Sequence, residues 1–173
     1  MAGSNGKQKT VRDMVLSLGL IGIAAALIYV FIPHDDSAPD IPRVDYRVEL
    51  LTARRSAAYP VAAPEGLPTA WKATSVRFDG ANFDAWHLGF HAPDGQYVQI
   101  EQSTQKPSEF IDQATQGAMA TKNTQRIDGR TWTRYTGGRY DALVLPAKGS
   151  TTVVAGTGSF QQLTEMAQAL KTS

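Results

Sequence analysis

Hydrophobic positions form three kinds of pattern along this chain. The first is continuous: residues 14–32, MVLSLGLIGIAAALIYVFI, carry no charged side chain over nineteen positions. At 1.5 Å of rise per residue the run makes a helix of about 28 Å, close to the roughly 30 Å thickness of a bilayer's hydrocarbon core. The second pattern alternates. Trp86, Leu88 and Phe90 interleave with His87, Gly89 and His91 and run into Pro93-Asp94-Gly95. Proline there suits the first bend of a turn and glycine its left-handed close. A three-residue loop sets Phe90 against Val98, Leu88 against Ile100 and Trp86 against Gln102 on one face. On the other face His91 meets Tyr97 and His87 meets Glu101. Trp71 to Phe78 extends this sheet, with Thr74, Val76 and Phe78 on one side. Asp128-Gly129 is a two-residue hairpin signal between TQRI and RTWTRY, and Tyr140 to Leu145 and Thr151 to Ala155 supply two more β-rich runs. The third pattern is helical. Pro107 to Met119 places Phe110, Ile111 and Ala114 on one face, with Gly117 marking its end. Ser159 and Gln162 form a capping box ahead of the stripe Phe160, Leu163, Ala167 and Leu170.

Two segments are less regular. Val44, Tyr46, Val48 and Leu50 alternate as a strand would, yet RVELLTARRSAA is rich in helix formers and Asp45 offers a cap. Residues 44–58 therefore satisfy both templates, with the helix leading. Pro60, Pro64 and Pro68 impose an extended path, read as a segment lying along the surface. The whole pattern predicts an α+β fold, an antiparallel sheet with packed helices.

Charge orders these pieces about the apolar run. Lys7, Lys9 and Arg12 precede it, and Asp35, Asp36 and Asp40 follow it with no Lys or Arg before Arg43. Positive flanks stay in the cytoplasm. The expected division is a cytoplasmic N-terminus at 1–13, a transmembrane anchor at 14–32, a linker at 33–43 and an extracytoplasmic α+β domain at 44–173. That domain is expected to be monomeric and to fold without the anchor from about Ala57 onward. A cleaved signal sequence is the competing reading. Its apolar core is usually about 7–15 residues, and a cut after Ala24-Ala25-Ala26 would leave an apolar tail, so the uncleaved anchor is favoured.

The chain holds no cysteine, which excludes a disulfide framework, thiolate metal sites and the acylated cysteine of a lipoprotein. From Ile41 onward 14 Lys/Arg face 12 Asp/Glu, so the exported part has no strong net field. Arg126, Arg130, Arg134 and Arg139 are the basic cluster a nucleic acid would need, but they interleave with Thr and Gly around a turn and read as a solvated strand face. No nucleic-acid partner is expected.

Candidate chemistry is sparse. His87 and His91 stand at i and i+4, the spacing that unites two metal ligands on a helix, but on a strand it separates them by about 13 Å. No metal and no cofactor is expected. No G-x-S-x-G elbow occurs, and nothing in the spacing assembles a Ser-His-Asp triad. Glu101 opposite His87 reads as a cross-strand polar pair before it reads as an acid–base pair. Gly156-Thr157-Gly158-Ser159 has amides suited to an anion but lacks a phosphate-loop or dinucleotide fingerprint, and a tight entry into a capped helix accounts for it. Trp71, Trp86 and Trp132 read as core residues before they read as a groove.

Five blocks in order, RDMVLSLG, YPVAAPEGLPTAWKATSVRF, WHLGFHAPDGQYVQIEQS, DGRTWTRY and GTGSFQQLTEMAQAL, resemble the actinobacterial family called domain of unknown function 4245. The resemblance covers nearly the whole chain. It implies a single-pass membrane protein of high-GC Gram-positive bacteria with an exported domain, no assigned biochemical role and no catalytic residue to carry over. The element order also loosely resembles the PsbP and Mog1 type of α+β domain, which implies binding or assembly. The expected function is thus a noncatalytic binding or assembly module of the bacterial cell envelope. Its partners would be the membrane and an envelope protein or cell-wall ligand, met by His87, His91, Tyr97 and Glu101. The alternative is a hydrolase-like envelope enzyme using the polar surface around His87, Glu101 and His91.

Overall fold

The computed structural model describes residues 6–31 and 42–172. The chain divides into two units, Met1–Asp40 and Ile41–Ser173. In the first, α1 (Gly6–Phe31) is continuous, and its stretch Val11–Tyr29 is long and apolar enough to cross a membrane. The helix thus starts ahead of the apolar run rather than with it. By length and composition alone it suits an anchor or a signal sequence. Most of the linker expected at 33–43, including His34, Asp35, Asp36 and Asp40, lies outside the described residues.

The second unit opens with α2 (Arg47–Ser56) and a short strand, β1 (Ala63–Pro64). Then come β2 (Lys72–Asp79), β3 (Ala85–His91), β4 (Tyr97–Ser103), α3 (Pro107–Thr115), β5 (Met119–Ile127), β6 (Arg130–Thr136), β7 (Asp141–Ala147) and β8 (Ser150–Gly156). The chain returns through α4 (Phe160–Ala169) into β9 (Leu170–Lys171). Seven strands form one antiparallel sheet in the order β2-β3-β4-β8-β7-β6-β5, and β1 pairs separately with β9.

Turn chemistry fixes these pairings. β3 and β4 take the register the Pro93-Asp94-Gly95 loop predicts, with Trp86 opposite Gln102, Leu88 opposite Ile100 and His87 opposite Glu101. Asp128 (φ 47°) and Gly129 (φ 77°) make the left-handed pair that joins Ile127 to Arg130, the geometry favoured in two-residue hairpins. Lys148-Gly149 closes β7 on β8 in a hairpin the sequence pattern did not single out. α3 stops at Thr115, four residues before Met119, because Gln116 turns left-handed (φ 54°) ahead of Gly117; Met119 opens β5 instead.

One face of the sheet carries the main core. Trp86, Leu88, Ile100, Leu143 and Val154 are fully buried there with Leu163 and Met166 of α4 and Ala53 of α2. The capping box at Ser159 and Gln162 starts α4, each residue's side chain meeting the other's backbone N–H. On the opposite face α3 lays Phe110, Ile111 and Ala114 over Val153 and Ala155 of β8 and Ala142 and Val144 of β7.

Three details differ from the sequence pattern. A bulge at Thr74 breaks the alternation of β2, so Ala73 and not Thr74 shares the core side with Val76 and Phe78. The proline segment is buried in its middle rather than superficial throughout: Val61, Ala62 and Ala63 are 1%, 3% and 2% exposed, while Pro60, Glu65, Gly66 and Pro68 stay at the surface. Its backbone is satisfied by side chains, since Gln102 Oε1 accepts the Ala62 N–H (2.7 Å) and Trp86 Nε1 donates to the Ala62 carbonyl (3.0 Å). Finally, residues 47–56 are helical, and the core does not begin at Ala57. Tyr46, Leu50 and Ala53 pack into it, Asp45 Oδ1 accepts the Arg47 N–H, and Glu49 accepts from Phe78 N on the edge strand.

This packing makes a direct prediction. Leu163→Ala removes a fully buried side chain between α4 and the sheet, and should lower stability by about 2–5 kcal/mol in urea unfolding. Met119, 76% exposed, should tolerate the same change within about 0.5 kcal/mol. An unchanged midpoint for Leu163→Ala would show that α4 is not docked.

Candidate functional site

The face bearing α3 is covered over β8 and β7, while β2, β3 and β4 present a floor of polar side chains beside it. Alternation places them there. With Trp86, Leu88 and Phe90 turned to the core, His87, Gly89 and His91 face the other way. β4 sets Tyr97, Gln99 and Glu101 against them, and β2 brings Ser75 opposite Gly89.

Ser75, His87 and Glu101 form one hydrogen-bonded chain, with Tyr97 beside it. His87 Nδ1 lies 2.6 Å from Glu101 Oε1, and His87 Nε2 lies 2.8 Å from Ser75 Oγ. The Tyr97 hydroxyl lies beside Ser75, which lowers the Tyr97 pKa as a donor to the phenolate does. The carboxylate makes Nδ1 the donor. In the neutral ring Nε2 then accepts the Ser75 hydroxyl proton. A second proton on the ring reverses the Ser75–His87 bond and leaves the His87–Glu101 bond as it is. The His87 and Glu101 side chains are 28% and 17% exposed, enough for contact with a ligand yet shielded enough to keep the bond short.

Gly89 makes this possible. A Cβ there would collide with Ser75 Oγ and stand 2.7 Å from the Tyr97 hydroxyl. Gln99 ties the floor to α3, its Nε2 donating to the Ala114 carbonyl at 2.8 Å. Burial raises the Tyr97 pKa above the ordinary phenol value, the Glu101 charge adds to the rise, and the Ser75 hydrogen bond opposes it. Tyr59 is raised as well, by burial first and then by Asp84 and Glu101.

The four residues expected to form a surface do not play equal parts. His87 and Glu101 belong to the chain, and Tyr97 lies beside it. His91 stands apart: its ring meets Tyr97 edge-on at 6.2 Å between centroids, and its buried Nδ1 has no partner among the described residues. His87 and His91 are not brought together, and no cluster of three metal-ligating side chains occurs among the described residues. Ser75 and Gly89 were not singled out from the sequence. The signal for Ser75 was its place between inward Val76 and the bulge, a place that shows only once β2 is registered on β3.

Other candidates resolve into structure. The amides of Thr157 and Gly158 both donate to the Tyr97 carbonyl, at 2.9 and 3.4 Å, and the Ser159 amide donates to Gln162 Oε1 at 2.8 Å, so this loop's N–H groups are already used. Trp71, Trp86 and Trp132 are 4%, 0% and 3% exposed. Arg134 donates twice to Gln125 Oε1 and lies 4.5 Å above the Phe160 ring.

A family model described as protein of unknown function (DUF4245) matches residues 7–170, nearly the whole chain, in agreement with the five sequence blocks. No curated protein matches the chain.

Two outcomes follow from this geometry. Gly89→Ala should push Ser75 and Tyr97 apart and destabilise the domain by about 1–3 kcal/mol in urea unfolding; a neutral result would mean the floor has slack. The raised tyrosines bear on pH. The unfolded chain ionises near pH 10 while Tyr59 and Tyr97 stay protonated in the fold. Stability is therefore full below about pH 10 and declines as pH rises through the raised values. Tyr97→Phe should flatten that alkaline decline, read as urea midpoints from about pH 9 to 12. An unaltered slope would contradict it.

Proposed function

The chain belongs to this family of unknown function, and from that premise we propose that it is a membrane-anchored binding or assembly module of the bacterial cell envelope, in the actinobacterial setting the sequence blocks suggest. In this reading residues 1–13 are cytoplasmic, 14–32 span the membrane, 33–43 are a linker and 44–173 form a monomeric extracytoplasmic domain. The loose likeness of element order to the PsbP and Mog1 type supports binding or assembly over turnover. The recognition surface is the floor of β2 to β4, with His87, Glu101, Tyr97 and Ser75 as its centre and His91 at its margin. One observation carries the proposal: Ser75, His87 and Glu101 are aligned by hydrogen bonds, with Tyr97 beside them, on a partly exposed sheet face beside α3. Such a chain offers a ligand both donors and acceptors at fixed positions, and its ordering is complete before the ligand arrives.

A specific feature favours a second reading. Hydroxyl on Nε2 and carboxylate on Nδ1 is the order used in acyl transfer by Ser-His-acid triads. Against it, Ser75 lies within a strand of the sheet rather than on a strained turn, and the Tyr97 hydroxyl stands beside its oxygen.

Crosslinking in native membranes tests the surface. His87→Gln should leave the melting curve nearly unchanged, since a cross-strand pair contributes about 0.2–1 kcal/mol, and should weaken partner crosslinks. Persistence of the same crosslinks in the folded His87, Glu101 and His91 triple variant would reject the surface. Covalent labelling of Ser75 by a fluorophosphonate, lost in His87→Gln, would instead establish the enzyme reading. Protease added outside sealed cells should digest the domain and spare an N-terminal tag; digestion of the tag would reverse the topology.

A further inference from the structure

The opposite face of the sheet, the one bearing α4, holds a partly enclosed cavity of about 150 Å³. Ile127, Trp132, Leu145, Ala167 and Leu170 give it apolar walls, and the buried pair Gln102 and Thr152 lies at its polar side. The pair is already satisfied: Gln102 Nε2 donates to Thr152 Oγ1 at 2.9 Å while its oxygen accepts the Ala62 N–H. Two other donors have no protein acceptor among the described residues. Trp132 is 3% exposed as a residue, and its Nε1–H has no acceptor among the described residues, whereas Trp71 donates to Glu165 and Trp86 to the Ala62 carbonyl. The Trp132 nitrogen is not sealed off, since His91 Nδ1 is the one buried side-chain polar atom without a partner among the described residues. Arg130, two positions away on the same face of β6, is exposed at the opening and has no ion pair among the described residues, since Asp128 faces Lys171 at 3.6 Å. Of the two charged residues lining the cavity, Asp128 is thus paired with Lys171, and Arg130 has no ion pair among the described residues.

We propose that this cavity binds a small organic carboxylate with a compact aromatic or short aliphatic body. The carboxylate sits at the rim, where Arg130 engages it through the planar fork that matches two carboxylate oxygens. The body enters between Trp132, Ile127 and Leu170. Size limits the class, because an apolar cavity of roughly 150 Å³ accepts a benzene-sized group. The Trp132 N–H supplies a second contact to an oxygen of the ligand. Nothing in this site depends on the Ser75–His87–Glu101 face, which lies on the other side of the sheet.

Benzoate is the probe, titrated into the full-length ¹⁵N-labelled chain in nanodiscs while the three indole N–H signals are followed. One indole signal, assigned by its loss in Trp132→Phe, should move and saturate at millimolar benzoate while the other two stay in place. Their constancy in Trp132→Phe also shows that this variant is folded. Arg130→Gln, at an exposed position, should weaken benzoate about tenfold or more, and benzyl alcohol, similar in shape but uncharged, should bind at least as weakly to the unaltered chain. The proposal is overturned if no indole signal saturates, if only Trp71 or Trp86 responds, or if benzyl alcohol and benzoate bind alike.

Discussion

Both faces of the domain depend on the register between β3 and β4, because a sheet alternates its side chains and a slip of one residue would exchange core for surface along the whole pair. The Pro93-Asp94-Gly95 loop holds that register, with the Gly95 N–H donating to the Ala92 carbonyl and the Ala92 N–H to the Gln96 carbonyl. Given it, Trp86, Leu88 and Phe90 meet Gln102, Ile100 and Val98 under α4. The same alignment brings His87 to Glu101 and His91 to Tyr97 on the reverse. The core and the polar chain are thus two consequences of one pairing. A weaker turn would loosen both.

The buried polar groups extend this coupling through the sheet. Gln102 sits on the core side next to Glu101 and secures the proline segment, while the Tyr59 hydroxyl donates to the carbonyls of Gln102 and Asp84. Glu101 on the reverse side contributes to raising the Tyr59 pKa. One strand therefore links the anchoring of residues 59–64 to the geometry around His87. An apolar replacement of Gln102 would leave the Ala62 N–H without its acceptor, a penalty of about 1–3 kcal/mol for a buried donor.

Much of this was readable from the sequence wherever local chemistry acts alone. The β3–β4 register, the Asp128-Gly129 hairpin, the α4 capping box and the apolar run of α1 each rest on a few adjacent residues. What could not be read involves distant partners. The Thr74 bulge depends on how β2 meets β3; alternation with Val76 and Phe78 puts Ser75 on the polar face, but only the register shows that it lands opposite Gly89 and next to His87. The proline segment reads as polar-tolerant and extended, and only the presence of Gln102 and Trp86 to satisfy its backbone allows its burial. α2 matched both helix and strand because its apolar residues are few, and packing of Ala53 and Leu50 decides it. The cavity at Trp132 leaves no trace in sequence at all, since it is a space between α4, the 60–62 segment and the far strands.

The central claim is that Ser75, His87 and Glu101 form one hydrogen-bonded chain beside Tyr97, and the His87 ring reports on it most directly. Long-range ¹H–¹⁵N correlation spectra of the full chain resolve which ring nitrogen carries the proton. The account predicts that the neutral ring is protonated at Nδ1, facing Glu101, and that Ser75→Ala shifts the Nε2 resonance while leaving the Nδ1 proton in place. A neutral ring protonated at Nε2, or an Nε2 resonance indifferent to Ser75→Ala, would contradict it.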